Sequence, residues 1–266
     1  MKSIKVFPLV VAAAVSLAAC DDVLPSAQLI SDAELNSDIA ASSGDAIAIA
    51  IEGMAANEAA AGMTGASVQP SIMGANSSTL NITRTRTCFD QNDAVVTNCQ
   101  PIASVRKIAT HFTLEGTRSG SHQNRRGGVS TWEGVVNRVA DDTLTRIFNG
   151  STETSRAHTG TATGNDVTDI TDGEFTRTVT EEVLDSVKAV TWNLPRSSNP
   201  FPVSGSIKRI AAVEVVVTKG DRTETRQLSR TITVTFPADN QGNVVLTIND
   251  KTCQLNLVTH VVSNCQ

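Results

Sequence analysis

The sequence predicts a mainly β protein: a long-stranded antiparallel meander, in the form of an open or half-barrel sheet, with an N-terminal helical segment covering its apolar face. Three observations carry this expectation. From Thr79 onward the residue pattern has period two and is rich in Val, Ile and Thr, the residues that suit a pleated, half-buried surface. Turn residues interrupt it at Lys219-Gly220-Asp221, Gln241-Gly242-Asn243 and Asn249-Asp250. Before it lies an Ala- and Ile-rich stretch whose period is closer to that of a helix.

Residues 1–19 read as an export signal. Lys2 and Lys5 precede an apolar run from Val6 to Leu17, broken by Pro8 and Ser16, and Ala18-Ala19 supply small residues for cleavage. The run is about twelve residues, too short to cross a ~30 Å hydrocarbon core as a helix. The sequence Leu17-Ala18-Ala19-Cys20 resembles the lipobox of bacterial lipoproteins. That resemblance implies lipidation on Cys20 and cleavage just before it. It covers only this end of the chain. Acyl methylenes each contribute ~0.8 kcal/mol, and two or three chains hold a protein firmly where one does not. The membrane is therefore the expected partner through Cys20, on the far side of the cytoplasmic membrane. Asp21 and Asp22 resemble an inner-membrane retention signal of enterobacterial lipoproteins, while other phyla read acidic residues there as a surface-export signal, so inner and outer membrane stay open.

Residues 20–30 form the tether, with Pro25 and small residues. Residues 31–62 are the helical segment. Ser31 and Glu34 match a capping box, with Leu35 and Ile39 following at helical spacing. Gly44 is expected to interrupt, with Asp45 capping a second segment in which Ile47, Ile51 and Met54 share a face. Ile47, Ile49 and Ile51 also alternate as a strand would; alanine content and length favour helix. Residues 63–78 read as a connecting loop containing Pro70, and 79–266 as the β domain.

Within that domain Trp132 and Val136 share a parity, as do Ala211, Val213, Val215 and Val217. Between Arg222 and Phe236, threonines and Ser229 occupy one face and Leu228, Ile232, Val234 and Phe236 the other. Such strands bury one side and wet the other, and the apolar side needs the helix as its cover. The outline resembles the half-barrel-with-helical-lid shape of the lipoprotein carriers LolA and LolB, a likeness of architecture with no shared motif.

Net charge is −5, with 3% aromatic residues and no tyrosine. No basic field attracts a phosphate backbone, so nucleic acid is excluded as a partner. With Trp132 and Trp192 as the only tryptophans, a stacking face for sugars is disfavoured. Cys88, Cys99, Cys253 and Cys265 remain once Cys20 carries lipid, and four cysteines allow three connectivities. Two local pairs, Cys88–Cys99 and Cys253–Cys265, are expected, each contributing on the order of 3 kcal/mol. Zinc ligation would need tighter spacing or adjacent histidines.

Motifs of known chemistry do not occur: no G-x-S-x-G, H-E-x-x-H, Walker loop or G-x-G-x-x-G. Gly160-Thr-Ala-Thr-Gly164 reads as a hairpin turn. His111, His158 and His260 read as ordinary strand positions, and His122 as a residue of the polar loop Ser119–Gly128 beside Arg125 and Arg126. Asp166, Asp169, Asp172 and Glu174 around Gly173 are the candidate Ca²⁺ ligands, against the alternative of a solvated acidic turn. Arg84 and Arg86 alternate with threonines and suit a solvated edge strand or a face for an acidic partner. The expected function is non-enzymatic, a membrane-anchored binding or structural lipoprotein. The alternatives are a carrier of lipid or another apolar ligand, and a hydrolase whose site sequence does not reveal.

Overall fold

The computed structural model describes residues 29–63, 77–99, 102–123 and 128–265. Cys20, with the whole export signal and most of the tether, lies outside the described residues, as does most of the 63–78 loop. The chain forms α1 (Asp32–Ala60) and eleven strands: β1 (Ser77–Phe89), β2 (Val95–Val96), β3 (Lys107–Gln123), β4 (Val129–Asn149), β5 (Thr152–Asp172), β6 (Phe175–Asn193), β7 (Ser204–Lys219), β8 (Arg222–Thr235), β9 (Asn243–Ile248), β10 (Lys251–Asn256) and β11 (Val262–Ser263). They make one open sheet in the order β11-β10-β9-β8-β7-β6-β5-β4-β3-β1-β2, with antiparallel pairing throughout. The expected mainly β meander with an N-terminal helix is what the chain adopts.

Tight links make the meander. β4–β5, β5–β6, β7–β8 and β9–β10 are each joined by two residues. Gly173 and Gly220 open two of these links at φ 57° and 56°. A Cβ is disfavoured in that left-handed region, so glycine fits the short turn between right-twisted strands. Burial alternates almost without fault along β4, β6 and β7. The Gly160–Gly164 run is not a turn; it lies inside β5, whose pairing with β4 continues through it. A side chain at either glycine would press on β4, Gly160 on the Asp141 backbone and Gly164 on the Asn137 carbonyl and Arg138. Strand glycines of this kind mark close backbone approach.

The sheet curls. β3 and β10 are seven strand spacings apart in its order, roughly 34 Å if flat at ~4.8 Å each. Yet the Asp45 carboxylate of α1 reaches Arg118 of β3 at 3.1 Å and His260, in the loop between β10 and β11, at 2.9 Å. One side chain can touch both only if the sheet is a trough with the helix inside it. Register shifts at Ile147/Phe148, His158/Gly160 and Lys188/Thr191 supply places for long strands to bend.

Helix α1 is single and continuous. Ser31 is its N-cap and accepts the Glu34 amide at 3.2 Å. The Glu34 side chain turns into the sheet toward Arg177 (3.7 Å). Gly44 does not interrupt the helix. It is the point of closest contact, where a Cβ would collide with Val262 and crowd Leu255. By length and hydropathy α1 is able to span a bilayer, but 56% of its most apolar window is buried against this sheet, as in a core helix. Its Leu35, Ile39 and Ile47 pack on Val179, Val183, Val213, Val215, Ile232, Val234, Leu246 and Leu255. A smaller cluster of Met63, Cys88, Val105, Ile108 and Leu144 closes the other margin.

The cysteines pair as Cys88–Cys99 and Cys253–Cys265. Each bridge fastens a two-residue strand, β2 or β11, across part of a sheet margin. Short, tied edge strands limit pairing with other chains.

Candidate functional site

The trough is not wholly apolar. Five arginines, Arg118, Arg138, Arg156, Arg177 and Arg209, are buried on its inner face. The expectation of strands that bury an apolar side and wet the other is corrected here: threonines largely take the outside, but these arginines point in. Alternation places them there, since Arg138 shares the parity of Trp132 and Val136, Arg177 that of Val179, and Arg209 that of Ala211.

Three of them build a seam beneath the middle of α1. Arg209 grips Asp185 with two bonds of 2.9 Å. Arg138 bonds Asp185 at 3.2 Å and also engages Asp166. Arg118 joins Asp45 (3.1 Å) to Asp166 (3.3 Å). Forked guanidinium–carboxylate bonds of this kind fix direction as well as charge. Gly164 stands directly opposite Arg138 in the ladder and leaves its side chain room. Burial acts to raise the Asp166 carboxyl, but Arg138, Arg118 and Arg209 outweigh it and hold it below the usual range. Glu181 faces Asp166 across β5–β6. Burial, with Asp166 beside it, pushes the Glu181 carboxyl up despite Arg209. The seam sets three guanidiniums against the carboxylates of Asp45, Asp166 and Asp185.

A second knot closes the C-terminal end of α1. Glu58 accepts from Arg156 (2.9 Å) and His158 (3.1 Å), and Arg196 lies 3.5 Å away. The other nitrogen of His158 meets Asp142 at 2.9 Å. Burial opposes charge on His158, but Asp142 and Glu58 prevail and lift its pKa to about 9. His260 sits likewise between Asp45 (2.9 Å) and Glu52 (3.1 Å), also raised to about 9 against the effect of burial. Both rings are therefore imidazoliums at neutral pH, donating from both nitrogens. Arg86 donates to the Ala60 carbonyl (2.8 Å) and Arg84 to Asn57 (2.7 Å). These cations complement the negative end of the helix dipole.

These placements correct several expectations. His158 and His260 are buried ionic latches, not ordinary strand positions, and His260 lies in a loop; His111 is exposed on β3 beside Asp141. His122 falls within β3, which runs on to Gln123. Arg84 and Arg86 do lie on a strand near the sheet margin, but they reach inward to the helix. The candidate Ca²⁺ ligands do not converge. Asp166 is held in the seam, Asp169 faces outward and accepts from Thr178 (2.7 Å), Asp172 lies 3.8 Å from Arg177, and Glu174 sits in an exposed turn near Lys219. Strand alternation sends Asp166 and Asp169 to opposite faces. Among the described residues no cluster of His, Cys, Asp or Glu is arranged to hold a metal ion.

Beside the seam a slot of about 80 Å³ lies between α1 and β3–β7. Its walls include Met54, Leu114 and Val136, with Arg118, Arg138 and Asp142 among its lining. His111, His158 and His260 each meet a carboxylate, and His158 is fully buried. The arrangement is suited to locking a helix in place, and the Ser42 hydroxyl, which donates to Glu181 at 3.0 Å, is part of that lock. No family model matches the chain, and neither a curated protein nor a solved structure is similar to it.

The parity signal for the seam was present in sequence: charged residues sit in register with buried valines. Which acid meets which base depends on pairing across the sheet and on the helix, and no local pattern carries that.

Proposed function

We propose that this protein is a lipid-anchored envelope lipoprotein that acts by binding or as a scaffold, without catalysis. The observation that carries the reading is the filled trough. Helix, apolar core and ionic seam occupy the inner face, so the broad outer face of β3–β8, lined by residues such as Thr131, Thr163, Thr178, Thr225 and Thr233, is the surface offered to partners. The lipobox-like Leu17–Cys20 and the two local cysteine pairs support placement in an oxidising compartment outside the cytoplasm. A carrier of whole lipids has less support. Ligand sites commonly enclose ~300–1,000 Å³, and the slot under α1 encloses about 80 Å³.

The test is a Cys20→Ser variant expressed in a bacterium with lipoprotein processing. The parent should partition into detergent and take up labelled fatty acid, and the variant should do neither. Equal partition of the two would overturn the reading.

A further inference from the structure

The slot under α1 has the features of a built site. Ala46, Ala50 and Gly53 share one helix face, and Ala140, Gly160 and Ala162 oppose them from β4 and β5. Small residues on both sides hold the space open, where interiors otherwise pack without voids. Ile49, Ala50, Gly53 and Phe112 are half-buried and mark the mouth, whereas Arg118, Arg138 and Asp142 are buried and form the floor. Three polar atoms of that floor have no hydrogen-bond partner: Nε of Arg118, Nε of Arg138 and Oδ1 of Asp142. Two donors and one acceptor, each more than nine-tenths buried as residues, thus line a pocket whose walls are partly apolar, with Met54, Leu114, Val136 and Val187, and also carry Asn57, Arg84 and Asp185.

We propose that this slot binds a small uncharged amphiphile, a short-chain alcohol or carboxamide, with its polar head on the floor and its alkyl part toward the mouth. The head chemistry follows from the free groups. A hydroxyl or amide accepts from the arginine Nε–H groups and donates to Asp142 Oδ1, which neither a hydrocarbon nor an ether can do. Ion pairing on the floor disfavours ions: Arg118 and Arg138 already hold Asp45, Asp166 and Asp185, and Asp142 holds His158, so a carboxylate or an ammonium placed among them would add a buried charge without a free counter-ion. Size sets the class: an engineered apolar cavity of ~150 Å³ admits benzene, and this slot encloses about 80 Å³, room for a head group and roughly two carbons, with the rest of a short alkyl chain lying in the mouth. The site is independent of anchoring at Cys20 and stands or falls without it.

The test is NMR titration of the full chain with 1-butanol, butyrate and butylamine, following the Nε–Hε signals of Arg118 and Arg138. Butanol should shift both signals saturably, with an affinity on the order of millimolar. Butyrate and butylamine should bind about tenfold more weakly or not at all. Ala50→Leu fills the slot from the helix and Ala162→Leu from the sheet; whichever variant keeps the parent's circular dichroism should lose the butanol shifts. Absence of saturable shifts, with water alone filling the slot, overturns the proposal. So does butyrate binding as tightly as butanol, or a folded filled variant that binds like the parent.

Discussion

Two regions of one interface hold α1 in different ways. Toward β6–β10 the helix lays Leu35, Ile39 and Ile47 on a valine- and isoleucine-rich sheet. Toward β3–β7 it meets the ionic seam through Ser42 and Asp45, and near its end the knot through Glu58. The apolar region is non-directional: burying each large aliphatic side chain contributes roughly 1.5–3 kcal/mol whatever the helix's rotation. The ionic region is directional. Its net contribution over an apolar replacement is small, because both charges must be desolvated, but its geometry permits few rotations of the helix. The comparison suggests that apolar contacts supply the stability and the seam sets the position of the helix.

The largest expected effect breaks the ionic side unevenly. Arg209→Met removes two of the three guanidinium bonds to Asp185, leaving that buried carboxylate to Arg138 alone and the seam one cation short, at a cost of about 3–5 kcal/mol in chemical denaturation. Loss of less than about 1 kcal/mol would mean that solvent reaches the seam, and the contrast between the two regions would fail. On the apolar side Leu35→Ala should cost about 2–5 kcal/mol by transfer and cavity terms together. The two variants should differ in how they melt. The leucine variant should keep one cooperative transition, while the arginine variant should first lose helix position, seen as early loss of near-UV signal from Trp132 and Trp192.

How much of this was legible in sequence divides along the same line. The apolar region was readable residue by residue, since Ala211, Val213, Ile232 and Val234 announce their face by alternation alone. The capping serine and the tight links at Gly220 and Asn249 were readable for the same reason: their causes are local. Gly44 misled, because its role is contact with Val262, more than two hundred residues away in sequence. Gly160 and Gly164 misled similarly, since a glycine that admits a neighbouring strand looks locally like one that turns. The seam and knot depend on pairings such as Glu58 with His158 and Asp45 with His260, fixed only once the sheet has curled.

The pH dependence sharpens the comparison further. His158 and His260 have folded pKa values of about 9 against an ordinary 6.5. The folded state therefore binds these protons more tightly than the unfolded chain does. Their stabilisation is complete below about pH 6.5 and is lost as pH rises toward 9. Denaturation midpoints should fall across that window, and His260→Gln should flatten part of the fall while lowering stability at pH 6. A midpoint level from pH 6.5 to 9.5 in the parent would show that neither ring is held as an imidazolium.

The smallest effect falls at Glu181, and its sign is diagnostic. Its carboxyl is raised by burial, with Asp166 opposite, so above the ordinary carboxylate pKa folding requires either uptake of a proton or burial of the charge. That requirement opposes folding above the ordinary carboxylate pKa and disappears as pH falls below it. Glu181→Gln mimics the protonated group and should be neutral or stabilising by up to about 1 kcal/mol at pH 7, the difference vanishing near pH 4. Asp166→Asn, only a ladder position across, should do the reverse, because three guanidiniums rely on that carboxylate and it titrates below the usual range. Opposite signs from two neighbouring carboxyls would show that the seam is balanced by protonating one of them. If both amides destabilised the protein alike at neutral pH, Glu181 would be a fourth anion of the seam, and its charge would need a cation that the three arginines do not supply.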